Sequence, residues 1–395
     1  MTHRLYILLL LSLPLLAACG DDIQGPDDDD DPIDSTVTPI TRPTEWRGMH
    51  GSDDGNFAYD IDGAADGSIY VAGFASDVDA ATDAYLLKLD AGGNRLWEKR
   101  FGDEEDQVAY TVAATPDGGA MLAGTHTIGH SPFLYMIKVD AAGEMEWDSI
   151  YRAVDGDRIP YEMAAAPGGG FVLTGRRQLS GEWTKAMAMK IDDDGAILWE
   201  SGVGSLGQAI GYDVAVAADG SVAVSYEMMD DAMPSFAGWI AVTTLDPNGN
   251  VVHERKDSIN LFDYKPVALA AVGNDFMLAG ITVAEGVTDA MRVTRIDRAG
   301  NEIWRTIEPF AYSRVVGLLP DDEGIFTAVS SASPFIEIDA AGAVTGRYRA
   351  ALWVDAAEDA ARTADGGFAV IRNTQSPHSG TESEIEVMKV RKREN

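Results

Sequence analysis

Cysteine occurs once in the 395 residues, at position 19, so the chain can form no internal disulfide and no paired-thiol redox or thiolate metal centre. Cations are scarce as well: 30 lysines and arginines stand against 64 aspartates and glutamates, a net charge of −34, which opposes nucleic acid and anionic membrane surfaces as partners. Histidine is limited to His3, His50, His126, His130, His253 and His378. His126 and His130 are close enough to share a loop, but two imidazoles without a placed carboxylate do not make a zinc site. The longest apolar stretch, Leu5 to Leu16, is too short to span a bilayer comfortably. No Gly-x-Ser-x-Gly elbow, His-Glu-x-x-His pair or phosphate loop occurs, so the common routes to nucleophilic, zinc-hydrolytic and phosphoryl chemistry have no residues to use.

What the chain does contain is a repeat of about fifty residues. Its clearest mark is an aspartate, a turn and an aromatic residue: Leu89-Asp-Ala-Gly-Gly-Asn-Arg-Leu-Trp97, and likewise up to Trp147, Trp199, His253 and Trp304, with a weakened copy ending at Gly346. Trp46 stands one interval before Trp97. A second series, Tyr59, Tyr110, Tyr161, Tyr212, Tyr264 and Tyr312, keeps the same beat. Two marks in phase define seven units.

Each unit reads as four short strands. In the second they are Ala109–Thr115, Ala120–Thr125, Phe133–Val139 and Glu144–Ile150, joined by Pro116-Asp-Gly-Gly119 and Asp140-Ala-Ala-Gly143. Glycine suits the positive φ of a tight turn, and aspartate bonds the turn's own backbone. Four antiparallel strands with this period predict an all-β, seven-bladed β-propeller; parallel solenoids, the alternative, use shorter coils. The chain enters with a fourth-strand segment, Thr44 to Met49, and leaves after a third-strand segment, Ile385 to Val390. The N-terminal strand is therefore expected to complete the last blade and close the ring, pairing two edges that would otherwise be exposed.

The N-terminus reads as processed. Arg4, the apolar stretch and Leu16-Ala-Ala-Cys19 match the lipobox of bacterial lipoproteins, which implies a signal peptide over 1–18, cleavage before Cys19, and acylation of that cysteine. The expected location is an outer membrane or cell surface. Residues 19–43, with their aspartate runs and prolines, cannot bury enough apolar area to fold and read as an acidic tether; 44–395 is the propeller. Removing 1–34 takes away one base, Arg4, and eight aspartates, leaving 29 bases against 56 acids and a net charge of −27. That charge favours cationic ligands, calcium among them.

In such a blade the first-to-second and third-to-fourth turns share one face, and these are uniformly short. The other two connections share the opposite face and vary in length, so binding is expected there. The candidate ligand-contacting residues are Asp53, Asp54, Asp103, Glu104, Glu105 and Asp106, against the plainer reading that they are solvated rim charges. Calcium needs six to eight converging oxygens, and no Asp-x-Asp-x-Asp-Gly loop occurs. Trp183 and Trp239 fall outside the tryptophan series, beside variable loops, and are candidates for ligand stacking. The serial tryptophans are expected to pack between blades, and the tyrosines to do the same or to rim the central channel.

The tryptophan mark resembles the docking motif of quinoprotein-like (PQQ-like) propellers: Asp90, Gly93 and Trp97 match in type, as do Asp140, Gly143, Trp147 and Asp192, Gly195, Trp199. Repeats of secreted bacterial surface proteins are more similar still, over Leu87 to Trp97 and Tyr110 to Gly119. Quinone dehydrogenases of this shape use eight blades, calcium and often adjacent cysteines; seven repeats and one cysteine exclude that chemistry here. The expected function is that of a lipid-anchored, monomeric, non-catalytic propeller that binds a protein or glycan partner through its variable acidic loop face. A calcium-dependent propeller hydrolase or lyase and a periplasmic envelope-assembly scaffold are the alternatives.

Overall fold

The computed structural model describes residues 40–392 except 52–54, 77–80, 153–155, 180, 206, 230–237, 260–267, 285–286, 310–313, 322, 332–334, 351–356 and 376–382. For a few strand-end residues, Trp239 among them, only the backbone is described. Cys19, Asp53, Asp54, Tyr264 and Tyr312 lie outside the described residues, as do the signal and tether segments. Among the described residues no helix is long and apolar enough to cross a membrane.

Two strands come first, β1 (Ile40–Arg42) and β2 (Thr44–His50). Blade 1 is β3 (Asn56–Gly63), β4 (Ile69–Ser76), β5 (Thr82–Leu89) and β6 (Arg95–Phe101). Blade 2 is β7 (Asp106–Ala114), β8 (Ala120–Ile128), β9 (Ser131–Val139) and β10 (Met145–Tyr151). Blade 3 is β11 (Gly156–Ala165), β12 (Phe171–Leu179), β13 (Lys185–Ile191) and β14 (Ile197–Val203). Blade 4 is β15 (Gln208–Val216), β16 (Val222–Met229), β17 (Gly238–Leu245) and β18 (Val251–Ile259). Blade 5 is β19 (Ala268–Val272), β20 (Asp275–Ala284), β21 (Val287–Ile296) and β22 (Glu302–Pro309). Blade 6 is β23 (Val315–Pro320), β24 (Ile325–Ser330), β25 (Phe335–Asp339) and β26 (Val344–Ala350). Blade 7 has β27 (Asp359–Arg362), β28 (Phe368–Gln375) and β29 (Ser383–Val390), with β2 as its outer strand.

The ring closes as the repeat count predicts: β2 pairs antiparallel with β29, from Thr44 opposite Val390 to His50 opposite Ile385. One strand lies beyond the expected domain start at 44. The short β1 runs parallel to β26 and gives blade 6 a fifth strand.

Apolar residues on both faces of each middle strand make seven clusters, one at each junction between neighbouring blades. Leu86, Leu122 and Ile137, for example, meet between blades 1 and 2. Each such side chain contributes roughly 1.5–3 kcal/mol by leaving water, so with no disulfide to help, the junctions carry the stability.

The tryptophans pack between blades. Each reaches the third-to-fourth turn of the next blade: Trp46 Nε1 donates to the Ala91 carbonyl (2.9 Å), Trp97 to Ala141 (3.1 Å), Trp199 to Pro247 (3.1 Å) and Trp304 to Ala340 (2.9 Å). That contact constrains the turn. Gly93 has φ of 81°, and a Cβ there would lie 2.5 Å from the Trp46 ring, so glycine is required by both backbone and neighbour.

A cation repeats beside the tryptophan, buried at Lys88, Lys138 and Lys389 and half-buried at Arg295. Lys88 Nζ donates to the Gly118 carbonyl of blade 2 (2.9 Å), Lys138 pairs with Asp117 (2.8 Å), Lys389 with Asp365 (2.6 Å), and Arg295 with Asp275 (2.7 Å). In blade 4 this position is Thr244, and Arg298 from the turn of blade 5 reaches that blade's Asp219 instead (3.4 Å). Blade 6 departs furthest: Glu337 takes the lysine position and Gly346 the tryptophan position. The reason lies in the closure. Blade 7 draws its outer strand from the chain start, so it has no third-to-fourth turn for a tryptophan to cover. Arg42 of β1 fills the space, bonding Glu337 and lying 4.2 Å from the centroid of the Tyr348 ring.

Candidate functional site

Four of the inner strands carry a β-bulge at the serial tyrosine: the register breaks between Ala58 and Asp60, Ala109 and Thr111, Pro160 and Glu162, and Gly211 and Asp213. A bulge re-aims the extra residue, here a tyrosine near the middle of each inner strand. Tyr59, Tyr110, Tyr161 and Tyr212 follow one another in ring contact, with centroids 5.2, 5.8 and 6.4 Å apart across three junctions. Phe57 and Phe74 of blade 1 extend the set, stacked on each other at 5.6 Å and each within 6 Å of Tyr59. The result is an arc of six aromatic rings over blades 1 to 4.

One residue further along the inner strands, toward the short-turn face, stands a set of carboxyls, Asp60 buried and Glu162 and Asp213 half-buried, joined by half-buried Asp359 of blade 7 and, further along, Asp62. Most of them accept a backbone N–H from the next inner strand, Val112 to Asp60 (2.6 Å), Ala114 to Asp62 (2.8 Å), Leu269 to Asp213 (2.7 Å) and Ile61 to Asp359 (3.2 Å). Inner strands of neighbouring blades diverge and share no ladder, so these side chains satisfy N–H groups that would otherwise be orphaned. Burial is the main influence on all five and pushes their pKa values upward, to about 7 for Asp62 and Asp213. The charges acting on Glu162, Asp213 and Asp359 are other carboxyls of the set. Asp60 and Asp359 hydrogen-bond each other, which requires a proton on one of them.

The sequence-derived candidates are placed differently. Asp103 accepts the Glu105 N–H (2.9 Å) and the Gln107 side-chain amide (2.6 Å), while Asp106 opens β7 and accepts the Thr82 N–H (2.9 Å). Their described contacts are thus loop caps. Beside them Glu104 is exposed and Glu105 half-buried. His126 and His130 do not share a loop: His126 is buried within β8, against Gln107 and Tyr135, and His130 lies in the turn that follows. Among the described residues no three His, Cys, Asp or Glu side chains are arranged to hold a metal ion. Trp183 stands 54% exposed in the loop before β13, and Trp239 is the second residue of β17.

The aromatic arc was partly legible in the tyrosine beat. The carboxyls were not, because the sequence shows them only as one acidic residue among many.

No family model matches the chain, and no curated protein matches it. Among solved structures, that of Sqt1 from Chaetomium thermophilum is similar at 13% identity over 85% of this chain and 88% of that one, with a TM-score of 0.49. That degree of likeness adds nothing to the architecture already visible in the strand pairing.

Proposed function

We propose that this chain is a non-catalytic binding propeller, tethered by lipid on Cys19 at a bacterial outer membrane or cell surface, which takes a protein or glycan partner at the channel mouth of its variable-loop face. The observation that supports this most is the arc of six rings from Phe57 to Tyr212 above the carboxyls of Asp60, Glu162, Asp213 and Asp359. Aromatic faces attract both the C–H faces of sugars and cationic side chains, and a site of this kind combines apolar surface with a few convergent polar groups. The site therefore moves inward from the acidic rim residues to the tyrosines.

Glycan and basic-peptide arrays probed with the wild-type propeller and with Tyr110→Ala/Tyr161→Ala test this. Both tyrosines are half-buried, so circular dichroism must first show that the double variant stays folded. Array signals should fall at least tenfold in the variant. Signals that persist unchanged, or no array signal from wild type, would overturn the assignment of this face.

A further inference from the structure

The outer strands differ in how well their edges are protected. An outer strand presents unpaired backbone groups to any extended chain that passes, and proteins usually guard such edges with charge or proline. Here β6 carries Arg95, Glu98, Lys99 and Arg100; β18 carries Glu254, Arg255, Lys256 and Asp257; β22 ends at Pro309. The edge of β26 is covered by β1.

β10 carries Glu146 and Asp148 and β2 carries Glu45 and Arg47, which leaves blade 3 with the fewest charges. Its outer strand β14, Ile-Leu-Trp-Glu-Ser-Gly-Val, has a single charged residue, Glu200. That charge is occupied: Arg158 Nε lies 3.0 Å from both carboxylate oxygens and Arg177 3.4 Å from one. Ser201 and Gly202 bring no charge to the edge, and β14 is the last strand of its sheet. At one end Ile197 and Leu198 are large apolar side chains left exposed, Leu198 at 56%. The other end is Val203, opposite Ala186 of β13, and exposed Trp183 stands in the loop entering that strand. A sparsely charged edge, its one carboxylate held by Arg158 and by Arg177, whose guanidinium also lies beside Gly202, thus has apolar surface at one end and an exposed tryptophan in the loop at the other.

The molecule itself shows how such an edge is filled. Ile40, Thr41 and Arg42 run parallel along Tyr348, Arg349 and Ala350 of β26, the matching strand of blade 6. We propose that β14 is a docking edge for one extended segment of a partner protein, added as a parallel strand whose apolar side chains meet Leu198 at one end and Trp183 at the other. Main-chain hydrogen bonds would supply affinity and the flanking apolar groups register, as in strand addition generally. The segment is neutral or basic, given the charge of −34 on this chain.

The test uses a fluorescein-labelled Val-Thr repeat octapeptide as the strand-forming probe, with a proline-interrupted version as control. Fluorescence anisotropy should show the probe, and not its control, binding the wild-type protein, and amide exchange should slow over 199–203 alone. Ile197→Lys/Leu198→Lys charges the edge at two exposed positions and should weaken binding at least tenfold, while Trp183→Ala, which leaves the strand intact, should weaken it severalfold. Equal binding by the charged variant, protection over another outer strand, or no binding by wild type would overturn the proposal. So would wild-type self-association in sedimentation that the charged variant abolishes, since the occupant would then be a second copy of this chain.

Discussion

The junction between blades 6 and 7 and the junctions among blades 1 to 5 solve the same packing problem with different residues. Between blades 1 and 2, for instance, the outer-strand aromatic covers the next blade's turn, and a buried cation satisfies carbonyl oxygens at the same junction. At the closure the turn is missing, and the order of charges inverts: Glu337 replaces the cation and Arg42, 295 residues away, supplies it. A repeat changes where its surroundings change, and the weakened copy at Gly346 marks the place where the ring is shut rather than a decayed unit.

The largest effect should come from removing the closing segment. Deleting residues 40–50 takes away the outer strand of blade 7 and the fifth strand of blade 6, exposing β29 and the Trp46 contact with blade 1. Global unfolding at 37 °C, or a melting temperature lowered by more than about 10 °C, is expected, since a loss of several kcal/mol is most of a domain's stability. An unchanged transition by calorimetry would show that the closure is ornamental.

Next comes the inverted charge pair. Arg42→Ala leaves Glu337 buried without its cation and should cost about 3–5 kcal/mol, the usual penalty for stranding one partner of a buried ion pair. Denaturant unfolding measures it. Glu337→Lys alone places two cations together and should be at least as damaging, whereas Arg42→Glu with Glu337→Lys should recover part of the loss. Failure of the double variant to recover anything would mean that geometry, rather than charge order, distinguishes this junction.

The smallest effect separates the channel from the turn face by pH. The carboxyls of Asp60, Asp62, Glu162, Asp213 and Asp359 hold protons more tightly when folded, because burial raises their pKa values. The folded state therefore binds more protons than the unfolded one between about pH 4 and pH 7, and stability rises as pH falls through that window. On the turn face, Asp117 and Asp365 are held at about 2, so their contribution is lost only below pH 4. The melting temperature should climb from pH 8 to pH 5, and Asp62→Asn should flatten the climb. A melting temperature that falls steadily over the same range would contradict the burial of these groups.

Much of the fold was legible because its signals are local. The aspartate that opens each turn, Asp90 for instance, accepts the N–H groups of Gly92 and Asn94 within its own loop (both 2.9 Å), and such chemistry is written in consecutive residues. The lysine of a third strand such as β5 was visible only as part of a resemblance; its role needed the neighbouring blade, because Lys88 bonds residues 30 and 53 positions away. The bulge at Tyr59 left no local signal other than the beat itself. The rim acids misled for the same reason: a capping aspartate such as Asp103 and a ligand-binding one look alike until their partners are known.

By itself the sequence determined the four-stranded unit, the number of units, the strand that closes them and the packing of the tryptophans between blades, all of which follow from alternation, turn chemistry and a fixed period. Tertiary structure alone decided which carboxyls share the channel, that Arg42 rather than a lysine serves the last junction, and that β14 has the least guarded edge. Ring closure is the physical reason: it brings residues from seven units around one axis, and their burial and electric fields depend on every unit at once.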